Sequence, residues 1–128
     1  PIRQRALALI NRFDIRVPIP EVSAGALSGG NQQKMIVARE LSRDPAVVVC
    51  CYPTFGLDFA ATEAVRREIL LRRKANGAII YASTDLEELL ALTDRIVVLH
   101  AGKVTGELPS ASATSEQLGL LMSGAEAA

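Results

Sequence analysis

Two glycines and a serine lead straight into a helical pattern at Leu27-Ser28-Gly29-Gly30-Asn31-Gln32-Gln33-Lys34, where the sequence holds most of its chemistry. The first N–H groups of a helix have no intrahelical partner, and the helix dipole places roughly half a positive charge there. Glycine lets a phosphate approach such a backbone closely. Leu27 to Asn31 are therefore candidate phosphate-binding residues. Ser-Gly-Gly taken alone favours a plain glycine-rich helix cap, and only a wider pattern can tip the balance.

Other reactive side chains are few. Cys50 and Cys51 are adjacent, without the spacing of a zinc site or a CxxC redox motif, and read as reduced core thiols pointing to opposite faces of a strand. The single histidine, His100, falls at a hairpin turn and reads as a solvated turn residue. Asp58, after Gly56 and Leu57, is a good N-cap for the helix that follows. No GxxxxGK[ST] phosphate cradle occurs in the sequence.

The bulk composition narrows the partners. Lys+Arg and Asp+Glu both number 14 in 128 residues, so no basic surface favours nucleic acid or anionic lipid. No apolar run reaches the roughly 18 residues of a membrane span, and the N-terminus lacks a signal-peptide layout, so the chain reads as cytosolic. A first residue of Pro1 instead of Met suggests an excerpt from a longer polypeptide.

The elements that must position these residues alternate. Ile2, Ala6, Leu9, Ile10 and Phe13 recur at helical intervals, and 14–26, with Pro18, Pro20 and Gly25, reads as a connecting loop. A second helix is expected over 30–43, with Met35, Ile36, Ala38 and Leu41 as its apolar contacts and Pro45 as its stop. The apolar run 46–51 suits a parallel strand covered on both faces, although periodicity alone leaves a buried helix open. A helix over 58–75 should turn Ala61, Val65 and Ile69 inward and close at Gly77 in a left-handed turn. A strand over 78–83 follows, then a capping-box start at Thr84 and Glu87 for a helix over 85–92. Residues 96–99 and 104–106 flank Ala101-Gly102-Lys103 as a β-hairpin. The fold class is α/β. Beyond Pro109 the Ser, Ala and Thr content suggests a linker or appendage outside the core, with a short helix over 115–122.

LSGGNQQK, the ARELSRDP helix, an apolar strand, PTFGLD, a second apolar strand and a DLEE helix resemble, in order and spacing, the second half of an ABC-type ATP-binding domain. The resemblance covers Ile2 to about Glu107, and implies such a domain portion over 1–108 with a C-terminal tail over 109–128. It implies a P-loop NTPase fold. It also implies that Leu27, Ser28, Gly29, Gly30 and Asn31 are the signature, which contacts the γ-phosphate of ATP held by an opposing domain, and that Gly56, Leu57 and Asp58 are the D-loop at the dimer interface. The Asn-Gln-Gln-Lys variant is the one associated with importers of ribose-like sugars and nucleosides, whose subunits carry two fused ATP-binding halves. Phe55, where an arginine is expected, departs from that subfamily.

The same resemblance places Cys51 and Tyr52 where an active domain has an aspartate for Mg²⁺ and a catalytic glutamate, and Thr84 where it has the switch histidine. A thiol is a poor substitute for a hard carboxylate toward Mg²⁺, and an unperturbed phenol near pKa 10 is a poor base. The resemblance thus implies a degenerate second half, inactive alone, with ATP and Mg²⁺ bound mainly by residues elsewhere. Its partners would be a second ATP-binding domain and transmembrane permease subunits, with no nucleic acid, on the cytoplasmic side of the plasma membrane. An inert ABC-like interaction module is the rival reading. A nontransport ABC ATPase acting on ribosomes or DNA is a third, without a basic surface to support it.

Overall fold

The computed structural model describes residues 1–125, which divide into two compact units, 1–80 and 81–125, within a chain of 128.

In the first unit, α1 (Ile2–Arg12) leads through a short 3-10 turn (Ala24–Ala26) to α2 (Gly29–Leu41), β1 (Val47–Cys51) and α3 (Phe59–Lys74). β2 (Ala78–Ala82) pairs with β1 in a two-stranded parallel sheet, with α3 as the crossover, and the division into units falls within it. Phe13, Ile15, Ala38 and Leu41 form the buried core, with Leu9, Ile10, Val17, Met35, Val37 and Val48 against it. α3 packs on α2 and buries Ala61, Val65 and Ile69 as their spacing predicts.

Several local expectations are corrected. β1 is not covered on both faces by the described residues: Val47 and Val49 are 55% and 69% exposed. Only Cys50 is a core thiol, since its neighbour Cys51 turns to the opposite, open face. Ile36 is exposed on α2, whereas Lys34 is buried there, because its ammonium has partners in the preceding loop. α3 closes at Asn76, not at Gly77: Asn76 has φ 63, a conformation that asparagine tolerates. The Gly77 N–H then donates to the Arg72 carbonyl at 3.0 Å, closing the helix in a Schellman turn.

In the second unit, α4 (Leu86–Leu92) precedes the antiparallel hairpin β3 (Arg95–His100) and β4 (Lys103–Pro109), joined at Ala101-Gly102. Both turn residues have positive φ, 47 and 76, which gives the twist that a two-residue hairpin needs. The cap of α4 is Asp85, whose carboxylate accepts from the Glu88 N–H at 3.0 Å, and not Thr84. Aspartate is the stronger N-cap, and the Ser83 hydroxyl secures it by accepting the Asp85 N–H.

Residues 110–125 are folded into this unit, contrary to the linker expectation. α5 (Ser115–Met122) starts on a capping box of Thr114 and Gln117, and its Leu118 and Leu121 join Ile96 and Val98 in the second core. Leu118 is fully buried. Composition missed this because two leucines one helical turn apart suffice to dock an eight-residue helix. His100, read as a solvated turn residue, is exposed but lies within hydrogen-bond range of the Met122 carbonyl, 2.8 Å from Nδ1, so it fastens the end of α5. Leu118→Ala should destabilise this unit by about 2–5 kcal/mol in urea unfolding followed by circular dichroism, whereas Leu120→Ala, at a 57% exposed site, should change stability by about 0.5 kcal/mol or less.

Candidate nucleotide-contacting site

Helix α2 begins without a side-chain cap. Ser28 stands at the N-cap with extended backbone, φ −61 and ψ 155, yet its hydroxyl takes no hydrogen bond from a backbone N–H of the first turn. The N–H groups of Gly29, Gly30 and Asn31 therefore keep their donors free of a side-chain cap. α3, by contrast, begins on Asp58, whose carboxylate accepts from the Ala61 N–H at 2.8 Å.

The side chains of the first turn are used differently, as ties to neighbouring segments. The Asn31 amide accepts the Arg16 N–H at 2.8 Å and donates to Ser28 Oγ at 3.0 Å. Gln32 donates to the Leu27 carbonyl at 2.9 Å, and Gln33 to the Pro53 carbonyl at 2.7 Å. Buried Lys34 donates to the Asp14 carbonyl at 2.9 Å and lies 3.2 Å from the Asp14 carboxylate. A lysine ammonium at that depth is tolerated because it is both paired and hydrogen-bonded. These bonds hold three separate pieces of chain, around residues 14–16, Leu27 and Pro53, against one turn of helix.

The result is an open cleft of about 450 Å³ at the helix start, lined among others by Arg16, Ser28, Gly30, Asn31, Lys34 and Asp58. A Cβ built on Gly29 would meet no atom within 4 Å, and one on Gly30 would touch only side-chain carbons of Ala61 and Leu57. The space beside the two glycines is thus free of close backbone contacts. This set suits a phosphate group: neutral N–H and O–H donors, a helix dipole, and Arg16 at the rim. Arg16 and Asp14 were not among the residues singled out from sequence. Their signal is absent there, since both fall in the stretch that reads as mere connection.

The structure brings Ser28, Gly30, Asn31 and Asp58 to one cleft. Leu27 is half-buried just before it and anchors Gln32 through its carbonyl. Cys51 ends β1, Tyr52 follows it in a bend, and both are exposed. Tyr52 has φ 49, a left-handed backbone that costs a non-glycine residue about 1–2 kcal/mol. Gly56, in the turn that follows, has φ 71 and takes that conformation freely. Thr84 lies in the second unit, exposed in the bend before α4.

A magnesium ion finds no matching donors at Cys51 and Tyr52, and no cluster of three His, Cys, Asp or Glu residues occurs among the described residues. Burial pushes the Cys50 thiol pKa above its ordinary value, while Cys51 stands in the open. Because the thiolate is the nucleophile, iodoacetamide at pH 8 should alkylate Cys51 in the native chain and reach Cys50 only after denaturation, as mass spectrometry of the labelled peptide would show.

No protein-family model matches the chain. Among curated proteins it is 40% identical over 121 residues to the guanosine import ATP-binding protein NupO of Bacillus subtilis, covering 94% of this chain and 24% of that protein. It is 42% identical over 125 residues to the glucose import ATP-binding protein TsgD13 of Haloferax volcanii, covering 96% and 23%. The arabinose import ATP-binding protein AraG of Yersinia pestis is 43% identical over 112 residues, covering 88% and 21%. The chain thus spans about a quarter of the length of these relatives. Among solved structures it superposes on an ATP-binding subunit of an ABC transporter with a TM-score of 0.79 at 19% identity, over 94% of this chain and 53% of that one. The ATP-binding cassette MJ0796, bound to ADP and phosphate as a dimer, matches with a TM-score of 0.73 at 24% identity, over 84% and 46%. The chain has the fold of part of an ABC-type ATP-binding domain, and nearly its whole length is similar in sequence to one segment of ATP-binding proteins named for guanosine, glucose and arabinose import.

Proposed function

We propose that the chain is the C-terminal part of a second, degenerate ATP-binding half of a sugar or nucleoside importer, and that its signature acts in trans. The observation that carries this reading is the contrast within the first unit. The helix start at Ser28 keeps an open set of uncapped donors, while the end of β1 offers a thiol and a phenol where carboxylates would be needed.

Bound ATP supplies the phosphoanhydride whose hydrolysis does the work, and its phosphate loop and Mg²⁺ ligands would belong to the competent half. The residues of this chain have a narrower task. The Ser28 hydroxyl and the N–H groups of Gly29 and Gly30 would donate to the terminal phosphate when the two halves close, stabilising charge as the phosphoryl group departs. Gln33 ties the same helix turn to Pro53, so the signature and the turn leading to Gly56-Leu57-Asp58 would dock on the opposing half as one piece. Permease subunits would take up the closing motion, with the assembly peripheral on the cytoplasmic face of the membrane. No helix among the described residues is long and apolar enough to cross a membrane.

Tyr52 and Cys51 also favour a second reading, an inert ABC-like interaction module that binds nucleotide weakly or not at all. Ser28→Arg in the full-length subunit separates the two. It should lower transport-coupled ATPase activity by about 100-fold, the scale of losing an oriented oxyanion donor, while Tyr52→Phe should leave it within about 2-fold. An unchanged rate in Ser28→Arg would favour the inert module.

A further inference from the structure

The two bonds of the Asn31 side chain run in a fixed direction. The Arg16 backbone N–H can only donate, so the Asn31 atom 2.8 Å away must be the carbonyl oxygen. The amide nitrogen then faces Ser28 Oγ at 3.0 Å, and an amide NH₂ can only donate. Ser28 Oγ is thereby the acceptor of this bond, and its own proton is directed elsewhere. Ser28 gives no cap to α2, so no N–H of the first turn competes for its lone pairs.

From this we infer that Asn31 is a positioning residue that sets the direction of the Ser28 hydroxyl and acts on a bound phosphate through it. The inference rests on the signature reading proposed above. Asn31 takes its own orientation from Arg16, a residue 15 positions earlier, so the register of that loop reaches the serine through a single amide. With the amide present, the Ser28 hydroxyl and the first-turn N–H groups form a set of donors only, as an anion requires. Without it, the hydroxyl regains rotational freedom and can turn its proton toward any nearby acceptor.

The same geometry explains why a carboxylate would not substitute at position 31. An aspartate there could still accept the Arg16 N–H, but its second oxygen would draw the Ser28 proton inward.

A double-mutant cycle of Ser28→Ala and Asn31→Ala in the full-length importer tests the inference. The readout is the equilibrium affinity for ATP, with hydrolysis blocked by a carboxylate substitution in the competent half. The turnover rate of the unblocked enzyme is followed alongside. Asn31→Ala should weaken ATP about 10-fold in the native background, and by less than about 2-fold once Ser28 is Ala. Hydrogen exchange at the Arg16 amide should quicken in Asn31→Ala but not in Ser28→Ala, placing the broken tether. A loss of similar size in both backgrounds would overturn the positioning role, because a residue that merely braces the helix, or touches the nucleotide directly, adds its effect to that of Ser28. So would an unchanged affinity in Asn31→Ala. An unchanged affinity in Ser28→Ala would instead overturn the signature reading itself, and the inference with it.

Discussion

The first turn of α2 leaves its own N–H donors without a side-chain cap, and this constraint organises the rest of the first unit. A helix start in that state needs other means to stay in place, since it forgoes a cap contribution of about 1 kcal/mol. The means are the side chains of Asn31, Gln32, Gln33 and Lys34, each bonded to backbone outside its own turn. Each such bond contributes on the order of 1 kcal/mol net, so four together can outweigh the missing cap. The polar run after the two glycines therefore fastens neighbouring chain around the uncapped helix start. The loops it fastens are those that carry Arg16 and lead to Asp58.

That arrangement separates two kinds of chemistry that a symmetrical ATP-binding pair would share. Donors that would serve a phosphate held by another domain are kept in order. On the proposed reading, the groups that would serve a nucleotide on this domain are replaced by the thiol of Cys51 and the phenol of Tyr52, and Tyr52 adds a left-handed backbone just after β1. Exposure of Val47 and Val49 on the same strand fits a chain matching about half the length of the solved ATP-binding domains it resembles, with further sheet or helix expected to cover that face.

How far the sequence foretold this depends on the range of the physics involved. The α/β order, the helix that starts at the two glycines and the inward face of α3 follow from local pattern, and they stand in the structure. The cap of α4 was displaced by one residue because Thr84 and Asp85 are both plausible caps, and the Asp85 carboxylate takes the role with the Ser83 hydroxyl in support. α5 was read as appendage because its docking on β3 and β4 is a tertiary contact that composition does not encode. The roles of Arg16, Asp14 and Pro53 were invisible for a related reason. The bonds that Arg16, Asp14 and Pro53 make to α2 run largely through their backbone groups, and a backbone carbonyl or N–H leaves no mark in a sequence.

The central claim is that Ser28 meets the phosphate loop of an opposing ATP-binding half. Disulfide trapping measures that most directly: Ser28→Cys in a full-length subunit with Cys50 and Cys51 replaced by alanine, paired with a single cysteine in the phosphate loop of the competent half. The account predicts cross-linking that ATP accelerates strongly and ADP does not. Cross-linking that is absent, or equal with and without ATP, would contradict it.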